Sequence, residues 1–226
     1  MLHLPLLLPL LLAPAAGQSQ TVEIPAGADA TLIEDPEGDL ANGSGPVFHA
    51  GHTSQPQNGL RRGLVRFDVA AHVPPGAIVE SATLALHCSQ TNGGPAAVSL
   101  HRVLAPWGEG ASSTNGGSGA PAAPGDATWL YAFFDDEPWP VAGGLFTPRP
   151  SAVAIVDQPG AYAWSATRRM VQDVHLWLVA PERNRGWLLL GDESRLTTTK
   201  RFDSRENPDA ALRPVLRVTW RMPGSN

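Results

Sequence analysis

Aromatic side chains interleaved with carboxylates are the residues of this chain best suited to chemistry. Trp129, Tyr131, Phe134 and Trp139 share one short stretch with Asp135, Asp136 and Glu137. Flat aromatic faces stack on sugar rings and carboxylates bond their hydroxyls, so the stretch is a candidate carbohydrate-binding platform. The same residues also suit a lid, with Trp129, Phe133 and Trp139 folded over one end of a core. Tyr162 and Trp164 form a second aromatic supply. Like charges beside the platform repel uronic acids, which favours a neutral glycan over an acidic one.

Metal chemistry has one acidic candidate. Glu34, Asp35, Glu37 and Asp39 lie within six positions and would give calcium the hard oxygen ligands it takes. They do not follow the EF-hand spacing. His49 and His52 are three apart but lack a third ligand in register, so they read as solvent-facing residues and not as a zinc set.

Catalytic signatures are missing from the sequence. Glycoside hydrolysis needs two carboxylates about 5–9 Å apart across a cleft. Asp135 with Glu137, and Asp192 with Glu193, are merely close in sequence. The chain shows no G-x-S-x-G, H-E-x-x-H or glycine-rich phosphate loop. The reading is a protein that is not an enzyme.

These residues need a scaffold, and the pattern predicts a β-rich one. Gly186 to Trp220 holds two apolar runs, Trp187 to Leu190 and Pro214 to Trp220, and the second alternates. Leu216, Val218 and Trp220 face one way and Val215, Arg217 and Thr219 the other, as in a strand with one buried face. Arg62 to Ala70 alternates likewise, with Val65, Phe67 and Val69 on the buried side. Ile78 to Cys88 and Val98 to Leu104 are further strands, and turns between them favour antiparallel pairing. TVEI and ATLIED read as two short strands around a turn at Pro25-Ala26-Gly27, and Pro46 to Ala50 as a brief edge strand. One helix is expected over Ser165 to Ala180, from the spacing of Met170, Val174 and Trp177, with Ser165 or Thr167 as its cap. Val65, Phe67, Leu84, Leu86, Leu189, Leu216 and Val218 are the predicted core.

Composition bounds the partners. The net charge is -5 with 16% charged residues, which argues against a nucleic-acid surface. Residues 1–16 are apolar and end in small residues, as in a secretory signal peptide, and no other run is long enough to span a bilayer. Residues 17–226 read as one domain, secreted or held at the cell surface. The single cysteine, Cys88, excludes an intramolecular disulfide and lies in phase with Ala82, Leu84 and Leu86, so a buried thiol is expected.

Several segments in order resemble a known family: GLVRFDV, VPPGAIVESATLAL, VSLHRVLAPWGEG, NRGWLLL, RFDSREN and RPVLRVTW. Within them stand a W-x-E element, Trp107 and Glu109, and an F-x-S-x-E element, Phe202, Ser204 and Glu206. From Gln20 to Trp220 the chain is similar to the DNRLRE domain family, secreted modules with alginate-binding and disaggregatase-related relatives. The resemblance implies a jelly-roll β-sandwich, an extracellular setting, and binding or structural duty in place of catalysis. Such modules usually accompany other domains, whereas this sequence reads as one module alone. The physical reading of the two elements is structural: Trp107 as an anchor at a strand end, Glu109 as an acceptor for backbone N–H groups of the following loop, and Glu206 and Asp203 either doing similar work beside the last strand or pairing with nearby Arg205 and Arg213. Non-catalytic binding of a polysaccharide or cell-surface glycan is therefore the expected function. A structural or adhesive part in a surface assembly with other proteins is the alternative, and calcium is the one cofactor expected.

Overall fold

The computed structural model describes residues 17–224, so the expected signal segment, 1–16, lies outside them. The strands are β1 (Ser19–Ile33), β2 (Leu40–Asn42), β3 (Val47–His52), β4 (Leu60–Phe67), β5 (Ile78–Thr91), β6 (Ala96–Arg102) and β7 (Ala120–Pro121). There follow β8 (Tyr131–Phe133), β9 (Glu137–Pro138), β10 (Ala152–Val156), β11 (Gly160–Trp164), the helix α1 (Arg168–Val179), β12 (Trp187–Leu190), β13 (Lys200–Asp203) and β14 (Val215–Arg221). The named strands pair antiparallel, as the turn-rich connections predict.

Six strands close on themselves. β1 pairs with β14 and β4, β4 with β3, β3 with β13, and β5 receives both β13 and β14. β12, β6 and β10 extend the wall beyond β4, and β11 extends it beyond β5. The result is a largely β domain, a six-strand closed ring with added strands and a single α-helix among the described residues.

Two segments differ from the sequence reading. The expected turn at Pro25-Ala26-Gly27 is instead a bulge inside one long strand. There β1 leaves β14, its partner through Pro25, and takes up β4 from Ala26 onward. Proline and glycine mark the change of partner here, as they do at bulges generally. The expected edge strand at Pro46 to Ala50 lies inside the ring, between β13 and β4.

The interior holds every predicted core residue, with Trp164, Trp177, Trp187, Phe48, Phe67 and Phe202 among its largest side chains. α1 is capped by the Thr167 hydroxyl, which accepts from Met170 N, and buries Met170, Val174 and Trp177 against this core. A second cluster lies on the outer face of β1, β4 and β12, where Leu32, Leu64 and Leu188 meet Trp107, Trp129 and Trp139. This explains why Trp187 to Leu190 is apolar without alternation. Trp187 and Leu189 face the interior while Leu188 faces the second cluster, so the strand is buried on both sides.

Candidate functional site

The aromatic stretch forms that second cluster. Trp129 and Trp139 are only 9% and 6% exposed, and Trp139 Nε1 donates to Thr128 O at 2.9 Å. The Arg62 guanidinium sits 4.7 Å from the Trp129 ring centre and is held from behind by two bonds to Glu193. The lid therefore describes the two tryptophans, which offer no open stacking face. Tyr131 and Phe134 remain half-buried and pack edge-on at 5.7 Å, while Asp135, Asp136 and Glu137 are exposed on the turn beyond them. Trp164, from the second aromatic supply, is fully buried with its indole N–H on Val98 O.

Two of the four residues of the acidic loop are occupied with backbone N–H groups. Asp35 accepts from Gly38 N and Asp39 N, Glu34 accepts from Leu60 N, and Glu37 and Asp39 are exposed. Among the described residues, the acidic group in which one carboxylate oxygen from each residue lies within 4.8 Å of the others is a different one: Asp29, Glu109 and Glu206.

The W-x-E and F-x-S-x-E elements build this group. Trp107 is buried, with its indole N–H on Arg185 O at 2.8 Å and the Arg66 guanidinium 5.3 Å from its ring centre. Gly108 and Gly110 let the chain lie against the turn at Gly125-Asp126, since a Cβ on either would fall under 2 Å from an oxygen there. Glu109 is thereby delivered to β1, where it accepts from Asp29 N at 2.9 Å, and not from the following loop. Phe202 is buried, and the Ser204 hydroxyl donates to Gly45 O at 2.7 Å while accepting from Glu206 N. Arg205 sits between the carboxylates, with two bonds to Glu109, one to Glu206, and its own N–H on Asp29 Oδ2.

One guanidinium cannot neutralise three carboxylates. Burial pushes the Asp29 carboxyl well above the ordinary range, with Glu206 and Glu109 adding to the effect. Burial and then Glu109 raise Glu206, whose Oε2 is out of contact with solvent and has no hydrogen-bond partner. The bonds to Glu109 hold Arg205 in its charged form. The cluster has the donors and spacing to coordinate a metal ion in place of a proton. Sequence reading found Glu109 and Glu206 but not Asp29, whose signal is a lone carboxylate between Ala28 and Ala30 in an apolar strand.

A polar cleft of about 340 Å³ opens on the outer side of β3, β13 and β5. Arg201 on β13 is the cross-strand partner of both His49 on β3 and Gln90 on β5, so the three stand in one row. Asn92, Thr199 and Asn115 continue the lining, and no carboxylate lines it among the described residues. Gly116 and Gly117 form its far wall, and Arg61 Nε holds Gly117 O in place. His49 is 5% exposed, and its Nδ1 has no partner; the buried Thr199 hydroxyl has none either. Burial, with Arg201 and Arg61 nearby, lowers the His49 pKa to about 3, so the imidazole is neutral. The solvent-facing reading fails for His49, because it lies within a paired strand and not in a loop. Of the cleft's residues the sequence singled out His49 alone; alternation puts Gln90 in phase with the inward Leu86 and Cys88, and only the bulge between Cys88 and Gln90 turns it outward.

No family model matches the chain, and no curated protein matches it. Among the described residues, no helix is long and apolar enough to cross a membrane.

Proposed function

We propose that this protein is a secreted, non-catalytic carbohydrate-binding module of jelly-roll type, related to the DNRLRE family, and that its ligand sits in the polar cleft. The observation that carries this reading is the row His49, Arg201 and Gln90, with the amides of Asn92 and Asn115 and the hydroxyls of Thr53 and Thr199 around it. Amides, hydroxyls and a guanidinium match the alternating donors and acceptors of a sugar. Calcium is proposed for Asp29, Glu109 and Glu206, where it would tie β1 to two distant loops.

The second reading is a structural or adhesive part in a surface assembly. It is favoured by β10, which pairs on one side with β6 and exposes Val153 and Ile155. A glycan array probed with the mature protein, with calcium and with EDTA, separates the two. Retention on defined glycans that Arg201→Ala abolishes supports the first, and a blank array moves the protein to the second.

A further inference from the structure

The outer face of the strands around β5 carries more than the polar cleft. A second cleft, of about 330 Å³, lies farther along it and is floored by Ala85, Ala163 and Val215. Ala85 is the cross-strand partner of both Ala163 and Val215, so the floor is a flat row of small side chains. Arg213 and Arg217 border it, and His87 stands at the end nearer the polar cleft.

The two clefts share one face, and the residues between them show it. His87 is two positions from Ala85 on β5, hence on the same side of the strand. Its Nδ1 lies 2.6 Å from Asp203 Oδ2. Asp203 is two positions from Arg201 on β13, and Arg201 is paired with Gln90 and His49. The intervening Leu84, Leu86, Cys88 and Phe202 are buried in the interior, as the opposite side of the same strands requires. At about 3.3 Å per residue, the run from Ala85 to Gln90 spans roughly 17 Å before either cleft is added.

We infer that this face is one extended site, in which a polysaccharide chain lies along β5 and is recognised by its interior residues and not by its end. The inference rests on the carbohydrate reading and specifies its ligand. One end supplies the amides, Arg201 and neutral His49. The middle supplies His87, oriented by Asp203, which Asn207 Nδ2 also bonds at 2.9 Å. The other end supplies the floor of Ala85, Ala163 and Val215, flanked by Ala211 and Leu212, on which a ring can lie flat, with guanidinium groups at its border. The charge of the face fits a hydroxyl-rich or acidic chain: Asp203 is committed to His87 and Asn207, and Glu23 is paired with Arg217.

Calorimetric titration with di-, tetra- and hexasaccharides tests it, using neutral series (β-1,4-glucan, β-1,4-mannan) and acidic ones (polymannuronate, polygalacturonate). Within the series that binds, affinity rises at least tenfold from dimer to hexamer. Ala85→Trp, which builds a wall on the floor, removes the gain in affinity from dimer to hexamer. Gln90→Ala weakens both. Equal affinity for dimer and hexamer, or an Ala85→Trp protein that melts as the wild type and still prefers the hexamer, overturns the extended site and leaves a single-cleft lectin. If no series binds, the carbohydrate reading falls and the extended site falls with it.

Discussion

The Arg205 side chain grips Glu109 with two bonds of 2.6 Å, although 96 residues separate the two in sequence. This pair joins the W-x-E element to the F-x-S-x-E element and encloses Asp29 of β1 between them. If calcium enters this group it binds the folded chain alone, because only the fold gathers the three carboxylates. Stabilisation by mass action is then about 2.7 kcal/mol at a hundredfold excess over Kd. The melting temperature should rise with millimolar calcium and return with EDTA, and Glu206→Gln should abolish the response. An unchanged wild-type midpoint under both conditions removes the ion.

Without metal, the same cluster has a pH signature. Asp29 has a folded pKa raised above its ordinary 3.8, so the folded chain keeps a proton that the unfolded chain releases. Stability from this group is therefore lost as pH rises from about 4 toward the raised value. Asp29→Asn cannot lose that proton. In EDTA, the stability difference between variant and wild type should shift in favour of the variant as pH rises, measured by urea melts at successive pH values. A difference that stays constant with pH contradicts the assignment.

His49 acts with the opposite sign. Its folded pKa of about 3 lies below the ordinary 6.5, so the unfolded chain binds the extra proton first. The stability is present above 6.5 and is lost as pH falls toward 3, at no more than about 1.4 kcal/mol per pH unit. His49→Gln should flatten the acid limb of the wild-type curve. An unaltered limb would show that other groups govern acid unfolding.

Much of this fold was legible because its strands alternate. Val65 and Phe67, Leu84 and Leu86, and Leu216 and Val218 each announce an inner face, and Met170, Val174 and Trp177 announce the helix stripe. Closure of the ring was not legible. It depends on β1 changing partners at Pro25-Ala26-Gly27, and local sequence gives the same signal for a bulge as for a turn. The sites were legible only by halves. Glu109 and Glu206 stood out as motif residues, but Asp29 joins them through long-range pairing. Arg201, Gln90 and His49 come from three strands far apart in sequence, and only strand register places them in a row.

The lid makes a stability prediction. Trp129→Ala and Trp139→Ala each remove a buried indole from the second cluster and should cost about 3–5 kcal/mol. Neither ring lines the polar cleft, so below the lowered midpoint glycan affinity should match the wild type. Loss of affinity without loss of stability would return the site to the aromatic stretch.

Cys88 is a simple check on strand phase. It is fully buried, burial raises its thiol pKa, and Sγ lies 3.3 Å from Gln90 O. Thiol reagent should label the native protein slowly and the denatured protein at once. A bulge between Cys88 and Gln90 is what turns Cys88 inward and Gln90 outward, so immediate stoichiometric labelling of the native protein would contradict the phase of β5 at that bulge.

If the polar cleft holds a glycan, its charge selectivity follows from where the cleft sits. A neutral glycan was the expectation while Asp135, Asp136 and Glu137 stood beside the binding platform. These residues are exposed on a separate turn and do not line the cleft. Inside the cleft the nearby charges are cationic, since Arg201 and Arg61 both act to lower His49. Arg61 is buried and bonded to backbone carbonyl groups, which leaves Arg201 as the cation within reach of a ligand. An acidic oligosaccharide should therefore bind more tightly than a neutral one of equal length, and its affinity should fall as salt is raised. Arg201→Gln keeps hydrogen-bonding capacity and removes the charge. It should weaken the acidic ligand tenfold or more, about 1.4 kcal/mol, and flatten its salt dependence, with little change in melting temperature. Equal binding of neutral and acidic chains by the wild type, unaffected by salt, would mean that the hydroxyl-bonding groups Gln90, Asn92 and Thr199 govern recognition and Arg201 does not.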